Sequence, residues 1–111
     1  MKPAELVKIA KALSDPTRLR IYQSISACRE MFCGEIVKGY RLTPGTVSHH
    51  LRILAEANLI ECRREGQFIY NRSRPETIRE YASTLITTAT RKTHRKKKET
   101  KRKAASLSAD G

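Results

Sequence analysis

The sequence has no tryptophan, only two phenylalanines and four tyrosines, and no apolar run close to the roughly 20 residues of a membrane-spanning helix. Its first 13 residues are amphipathic and lack the apolar block and small-residue cleavage site of a secretory signal. Few aromatic side chains are available for stacking on the bases of single-stranded RNA. We therefore expect a cytoplasmic protein that does not contact a membrane.

Cysteine is also scarce, and its three positions are Cys28, Cys33 and Cys62. An odd number argues against a disulfide framework and fits a reducing compartment. Three interpretations remain open. The cysteines are packed as small apolar residues, they bind a soft metalloid such as arsenite through three thiolates, or Cys28 and Cys33 form a redox switch. A thiol sensor formed by these cysteines is the only metal or metalloid site that the sequence suggests, and no cofactor is assigned.

The chemistry of an enzyme is missing as well. The sequence shows no set of nucleophile, base and orienting group, no glycine-rich phosphate loop and no paired carboxylates in a plausible cleft. The adjacent histidines His49 and His50 are poor co-ligands, because neighbours on a helix point about 100° apart. We expect each to face either a groove or the core, and we expect no catalytic activity.

The chain has an excess of positive charge. Its 111 residues suffice for one small domain and carry a formal net charge of +12. Residues 1–90 hold 14 Lys and Arg against 9 acidic residues, which gives +5, whereas residues 91–111 hold 9 against 2, which gives +7. The concentration predicts a polyanionic partner, usually nucleic acid. We expect residues 91–111 to be a disordered basic tail that adds non-specific affinity or, alternatively, only solubility.

Periodicity predicts four helices in the first half of the domain. The first begins near Pro3 and the second near Pro16, after a cap at Ser14 or Asp15. A shorter helix is expected within "CREMFCGEIVKGY". The fourth has Thr43 as its N-cap and ends near Asn58. The predicted buried stripes of the first and fourth helices are Leu6, Ile9, Ala10 and Leu13, and Val47, Leu51 and Leu54.

A β-hairpin and a last helix follow. "LIECRREGQFIYNRS" predicts a two-residue turn at Glu65-Gly66, which would pair Cys62 with Ile69 and Arg63 with Phe68. Ser73 and Glu76 predict a capping box for the last helix. Its apolar stripe is Ile78, Tyr81, Ala82, Leu85, Ile86 and Ala89. The fold class is therefore mainly α with a small β-hairpin, in the winged helix-turn-helix order.

The fourth helix concentrates small and hydrogen-bonding residues at its front end, in "LTPGTVSHHLRIL". Only two helical turns fit the major groove of DNA, which is about 12 Å wide. The arginines of the hairpin are expected to contact a neighbouring run of phosphates or the minor groove. Arg18 and Arg20 are expected to contact the DNA backbone. The predicted DNA-binding residues are Thr43, Pro44, Gly45, Thr46, Ser48, His49 and Arg52 in the helix and Arg63, Arg64 and Gln67 in the hairpin.

The segments "LSDPTRLRIYQSI", "CGEIV" and "TVSHHLRIL" together resemble the ArsR family of bacterial winged-helix repressors, over roughly residues 4–90. The resemblance implies a homodimer joined through the first and last helices. It also implies release from an operator when an effector binds. Apolar stripes on the terminal helices favour the same interface, with candidate residues Leu6, Ile9, Leu13, Ile78, Tyr81, Leu85 and Ile86.

Two effector sites recur in relatives, and the sequence departs from both. A Cys-x-Cys pair is replaced here by the single Cys33, and the last helix has Glu76 and Glu80 but no histidine or aspartate. The sequence predicts a homodimeric regulator that binds an inverted repeat in double-stranded operator DNA, and the resemblance implies that this regulator is a repressor. Two alternatives remain: a constitutive DNA-binding regulator without a sensor, and a non-specific basic protein that binds RNA or DNA.

Overall fold

The structure, a computed structural model, describes residues 1–91. Its elements are α1 (Pro3–Ala12), α2 (Pro16–Ala27), β1 (Met31–Phe32), α3 (Cys33–Tyr40), α4 (Pro44–Glu56), β2 (Ile60–Glu65), β3 (Phe68–Ser73) and α5 (Pro75–Thr90). The predicted mainly helical winged helix-turn-helix class is confirmed. The predicted tail, apart from Arg91, lies outside the described residues. None of the helices within residues 1–91 is long and apolar enough to cross a membrane.

Three helices begin with proline directly after a cap residue that has extended backbone. Asp15 caps α2 by accepting a hydrogen bond from the backbone N–H of Arg18 at 2.8 Å, which confirms one of the two predicted caps. Thr43 caps α4 in the same way, through the N–H of Thr46 at 3.2 Å. Asn58 has a φ of 60°, the predicted left-handed terminator after α4.

The sheet has one strand more than predicted. Met31 and Phe32 form the short edge strand β1, and the strand order is β1-β3-β2 with antiparallel pairing throughout. The sequence analysis placed these residues in a helix. The two apolar residues pair with β3 before Cys33 opens α3, a tertiary contact that local periodicity does not reveal.

The predicted hairpin register was wrong by two residues. Cys62 pairs with Asn71 and Glu65 pairs with Phe68, so that the turn consists of Gly66 and Gln67. Gly66 has a φ of 61°, which suits the first position of a primed two-residue turn. A shift of two keeps every side chain on its predicted face of the sheet, because side chains alternate with a period of two.

The core lies between α1, α2, α3, α4 and the start of β2. It is formed by Ile9, Ala12, Ile21, Tyr22, Ile25, Ile36, Val47, Leu51, Leu54, Ala57, Leu59 and Ile60. The predicted stripe of α4 is confirmed, but that of α1 was partly wrong. Ala12 is buried while Ala10 is exposed, because α1 turns its Ile9–Ala12 side toward the core, where it contacts α4.

The predicted capping box of α5 was also wrong. Its N-cap is Arg74, which makes no side-chain capping bond. Ser73 is the last residue of β3, where it pairs with Ile60, and its side chain contacts Ser26. Because its backbone is part of the sheet, Ser73 does not cap the helix. The signal for a helix start was correct, but the strand extends up to it.

Candidate nucleic-acid interface

The first turn of α4 is fixed by its own side chains. The hydroxyls of Thr43 and Thr46 lie 2.8 Å apart, and Pro44 occupies the first helical position. Gly45 follows, and an added Cβ at this position would meet nothing within 4 Å. Packing within the protomer therefore gives no reason for a glycine at this position.

The two sides of α4 differ sharply in exposure. Val47, Leu51 and Leu54 are 1 %, 4 % and 0 % exposed and hold the helix in the core. The opposite side is exposed from the cap onward and consists of Thr43, Pro44, Gly45, Thr46, Ser48, His49 and Arg52. The helix is about 20 Å long, and these residues lie on about its first two and a half turns, the part that a major groove accommodates.

His49 and Arg52 act as a pair on this exposed side. Their side chains are one turn apart, and a guanidinium nitrogen of Arg52 lies 3.2 Å from Nδ1 of His49. The contact limits the directions in which the guanidinium can point. It therefore points away from the core, in a position suited to a phosphate or to the O6 and N7 atoms of guanine.

His50 faces the core, where it meets Arg18. Arg18 is only 9 % exposed and donates hydrogen bonds to the carbonyls of Ala12 (2.6 Å) and Lys11 (3.1 Å) and to Nδ1 of His50 (3.3 Å). The expectation that Arg18 meets the DNA backbone was therefore wrong. Its charge is used internally, where it satisfies carbonyls at the end of α1. Arg20 is exposed.

Burial lowers the pKa of His50 below its ordinary value of 6.5. Asp15 opposes this shift, while the positive charge of Arg18 adds to it. The backbone N–H of Arg18 in turn holds the pKa of Asp15 below its ordinary 3.8. A protonated His50 would lose its acceptor nitrogen and face a guanidinium, so the network requires a neutral imidazole.

We predict that acidification destabilises the fold through His50. A folded-state pKa below the unfolded value stabilises the protein above pH 6.5, and this contribution is lost as the pH falls through the folded pKa. The melting temperature of the wild type should therefore drop between pH 7.5 and 5.5. His50→Asn should flatten that dependence, and His49→Asn, the exposed neighbour, should leave it unchanged. Equal slopes for wild type and His50→Asn would contradict the assignment.

The two arginines of β2, Arg63 and Arg64, differ in their ion pairs. Arg63 contacts the carboxylates of Glu30 and Glu65, and its guanidinium lies 4.8 Å from the ring centre of Tyr70. These hydrogen bonds raise its pKa further. Arg64 makes none of the ion pairs found among residues 1–91 and is exposed, as is Gln67 in the turn. Of the two arginines, Arg64 is thus the one whose charge is available to a phosphate.

Phe32, Phe68 and Tyr70 form an aromatic cluster on one face of the sheet. The ring centres of Phe32 and Phe68 lie 5.8 Å apart and those of Phe32 and Tyr70 6.2 Å apart, in edge-to-face geometry. The sequence analysis did not identify this cluster. Phe68 and Tyr70 alternate along β3, which was a usable signal, but Phe32 joins them only through the unpredicted strand β1.

The candidate dimer residues fall into three groups: buried, half-buried and exposed. Ile9 is 2 % exposed within its own protomer, so its assignment to an interface was wrong: it packs against α4 instead. Leu13, Ile78 and Tyr81 are half-buried against the core, and Leu6 is also half-buried. The large apolar residues that remain open on α1 and α5 are Val7, Leu85 and Ile86, at 51 %, 43 % and 63 % exposure.

The three cysteines do not form one site. Cys28 is the exposed C-cap of α2, whereas Cys33 and Cys62 both contact the side chain of Asn71. No group of three His, Cys, Asp or Glu side chains within residues 1–91 is placed to hold a metal ion. The arrangement with three thiolates is therefore not found in this part of the chain.

Comparison with known proteins identifies the family. A family described as a helix-turn-helix domain matches residues 13–63. The transcriptional repressor SdpR of Bacillus subtilis is 40 % identical over 62 residues, which are 56 % of this chain and 68 % of SdpR. The arsenical resistance operon repressor of Staphylococcus xylosus is 35 % identical over 66 residues, which are 60 % of this chain and 62 % of that repressor. The chain belongs to the ArsR/SmtB family.

Solved structures agree with this assignment. The structure of an ArsR-like transcriptional regulator from Rhodococcus sp. RHA1 is similar to that of this chain, with a TM-score of 0.72. The similarity covers 97 % of this chain and 93 % of the regulator. Since the two sequences are only 22 % identical, this comparison shows the fold. A homodimeric winged helix-turn-helix DNA-binding domain from Mycobacterium bovis is 25 % identical and covers 82 % of this chain and 84 % of its own, with a TM-score of 0.64. The ArsR-family chain is a DNA-binding transcriptional regulator, and its family is one of regulators rather than enzymes.

Proposed function

We propose that the protein is a cytoplasmic homodimeric repressor that binds an inverted repeat in double-stranded operator DNA. In this proposal the exposed front of α4 enters the major groove, and the hairpin of β2 and β3 contacts the neighbouring backbone. Residues 1–90 form the domain that binds DNA and dimerises, and residues 91–111 form a basic tail. Bound across a promoter, such a dimer blocks access of the polymerase.

The observation that carries the proposal is the division of α4 into an apolar side in the core and a polar side at the surface. About the first two and a half turns, Pro44 to Arg52, expose Gly45, Thr46, Ser48, His49 and Arg52 while Val47 and Leu51 are buried. Ordinary surface helices expose long charged side chains along their whole length. This one exposes small residues and hydroxyls at the end that presents free backbone N–H groups, followed by His49 and Arg52, a composition that suits phosphates and base edges.

A second copy of the chain accounts for the open apolar surface of the terminal helices. Leu85 and Ile86 are exposed on α5, which has no fully buried residue, and Val7 is exposed on α1. Large exposed apolar residues on adjoining helices are typical of a protein interface. The related DNA-binding domain from Mycobacterium bovis is homodimeric, which supports the same arrangement here.

The tail supplies charge without sequence recognition. Residues 91–111 carry a net charge of +7. Each phosphate neutralised by such a chain releases a counterion and adds about 0.9 to the slope of log affinity against log salt. We propose that the tail strengthens binding to any DNA and that the folded domain selects the operator.

The proposal is tested by measuring binding of the full chain, and of a truncated chain ending at Thr90, to DNA upstream of the protein's own gene across a salt series. Scrambled DNA of equal length is the control. We expect both proteins to prefer the upstream DNA and the truncated chain to show a shallower salt slope. Absence of preference in both proteins would refute operator recognition. An unchanged salt slope after truncation would refute the proposed role of the tail but would leave operator recognition standing.

A further inference from the structure

Arg41 ends α3 in a backbone conformation that arginine rarely adopts. Its φ is 53° and its ψ is 40°, which lie in the left-handed region. In this region Cβ comes too close to the following carbonyl oxygen, so glycine is the usual residue and asparagine the next most common. The other two residues with positive φ within residues 1–91 are Asn58 and Gly66, which follow this rule. Arg41 does not.

The fold requires the left-handed residue between α3 and α4. The backbone N–H of Leu42 donates to the carbonyl of Val37 at 3.3 Å, the bond that closes a helix around a left-handed residue. Directly before the bend, the hydroxyl of Tyr40 donates to the carbonyl of Arg20 at 3.0 Å and holds α3 against α2. The neighbours of Arg41 therefore fix its backbone conformation, and glycine would adopt that conformation with less strain.

The side chain of Arg41 offers nothing to the protomer that would offset this strain. It is exposed and makes none of the ion pairs or cation–π contacts found among residues 1–91. The arginines whose side chains form hydrogen bonds in this part of the chain are Arg18, Arg52, Arg63 and Arg72. Strained residues that do not stabilise the fold are typical of functional sites.

The position of Arg41 indicates what its charge contacts. It precedes Thr43, the cap of α4, by two residues, so the two Cα atoms lie within about 8 Å of each other. Phosphates border the major groove, and a basic residue just outside a helix that enters the groove meets the DNA backbone rather than a base edge. Arginine also suits a phosphate because it is always charged and carries five donors.

We propose that Arg41 binds a phosphate of the DNA backbone at the border of the major groove that α4 enters. This assignment rests on the proposed function, in which α4 reads the operator. The contact fixes the position of α4 on the duplex and carries no base recognition. Because the same left-handed residue sets the direction of α4 and holds the basic side chain, helix and phosphate contact keep one fixed geometry. A dimer makes two such contacts.

The test compares full-length wild type and Arg41→Gly in thermal melting and in binding to upstream and scrambled DNA across a salt series. Glycine removes the strain and the charge together, so the variant should melt a few degrees higher and yet bind DNA more weakly. Loss of two phosphate contacts lowers the slope of log affinity against log salt by about 1.8, which weakens binding about sixtyfold at roughly 0.1 M salt. Both DNAs should be affected equally.

Three further variants separate charge from strain. Arg41→Lys keeps both, so it should melt like the wild type and retain most of the salt slope. Gly39→Ala lies in α3, where an added Cβ would meet nothing within 4 Å, so alanine should raise the melting temperature and leave binding unchanged. Arg79→Ala removes an exposed charge from α5 and should leave the slope unchanged.

A wild-type salt slope and affinity in Arg41→Gly would overturn the phosphate contact. An equal loss of binding in Gly39→Ala would overturn it as well, because the loss would then come from a stiffer end of α3. An equal fall of the slope in Arg79→Ala would assign the effect to net charge, with the same consequence. Failure of the proposed function gives a different result, since the wild type itself would then bind upstream and scrambled DNA alike.

Discussion

Leu85→Asp should convert the protein from a dimer into a folded monomer that no longer binds its operator. Leu85 is 43 % exposed within the protomer, so a carboxylate there is solvated in the monomer and the fold should survive. In the proposed dimer the same carboxylate would be buried against the partner without a counter-charge, at a cost of several kcal/mol. Sedimentation equilibrium should give the mass of one chain where the wild type gives two.

Ser83→Asp is the matched control for this substitution. Ser83 lies on the same helix, two residues away, and is exposed on the side opposite to Leu85. It introduces the same charge into the same helix but should leave the dimer intact. A Leu85→Asp protein that remains dimeric would show that α5 does not form the interface. Loss of the dimer in both variants would indicate an effect of charge on the helix rather than of the apolar face.

Arg52→Ala should weaken operator binding by about 1–3 kcal/mol, roughly 5- to 150-fold in Kd, if the guanidinium contacts a base. Arg52 is exposed, and its only side-chain partner among residues 1–91 is His49, so the fold loses little. Binding to scrambled DNA should fall far less than binding to the operator. Both affinities are measured at one fixed salt concentration, because the phosphate contribution varies strongly with salt.

Arg52→Lys distinguishes the two contacts that this residue is able to make. Lysine keeps the charge for a phosphate but loses the planar pair of donors that a guanine accepts. We expect Arg52→Lys to lose most of the preference for the operator. Arg79→Ala on α5 removes another exposed arginine and should leave the preference unchanged. Full recovery by lysine would instead assign Arg52 to the phosphate backbone, and equal losses in the two alanine variants would remove it from specific recognition.

The sequence predicted the helices of this fold better than its sheet, for a physical reason. Caps and stripes are local, so Asp15, Thr43 and Asn58 were identified from their neighbours along the chain. Strand β1 exists because two residues pair with a strand some 40 positions later, and nothing local marks that pairing. The predicted hairpin register was wrong because Gly66 was placed at the second position of the turn, whereas it occupies the first.

Burial explains where prediction of the site succeeded and where it did not. The alternation along α4 separated exposed residues such as Ser48 from buried ones such as Val47. Arg18 was misjudged because arginine is usually exposed, and only the fold shows that it meets carbonyls and His50. The contact of Cys33 and Cys62 with Asn71 likewise depends on strand order and on side-chain positions that no spacing along the chain encodes.

The internal role of Arg18 bears on which operators the protein tolerates. One guanidinium joins the end of α1, whose outer side belongs to the proposed dimer face, to His50 on the helix proposed to enter the groove. These contacts hold α4 against α1 within each protomer, so in the proposed dimer the angle between the two α4 helices should not adjust freely to the DNA. One base pair inserted between half-sites rotates one of them by about 35° around the duplex. A dimer braced in this way should treat the spacing between half-sites as strictly as the bases within them.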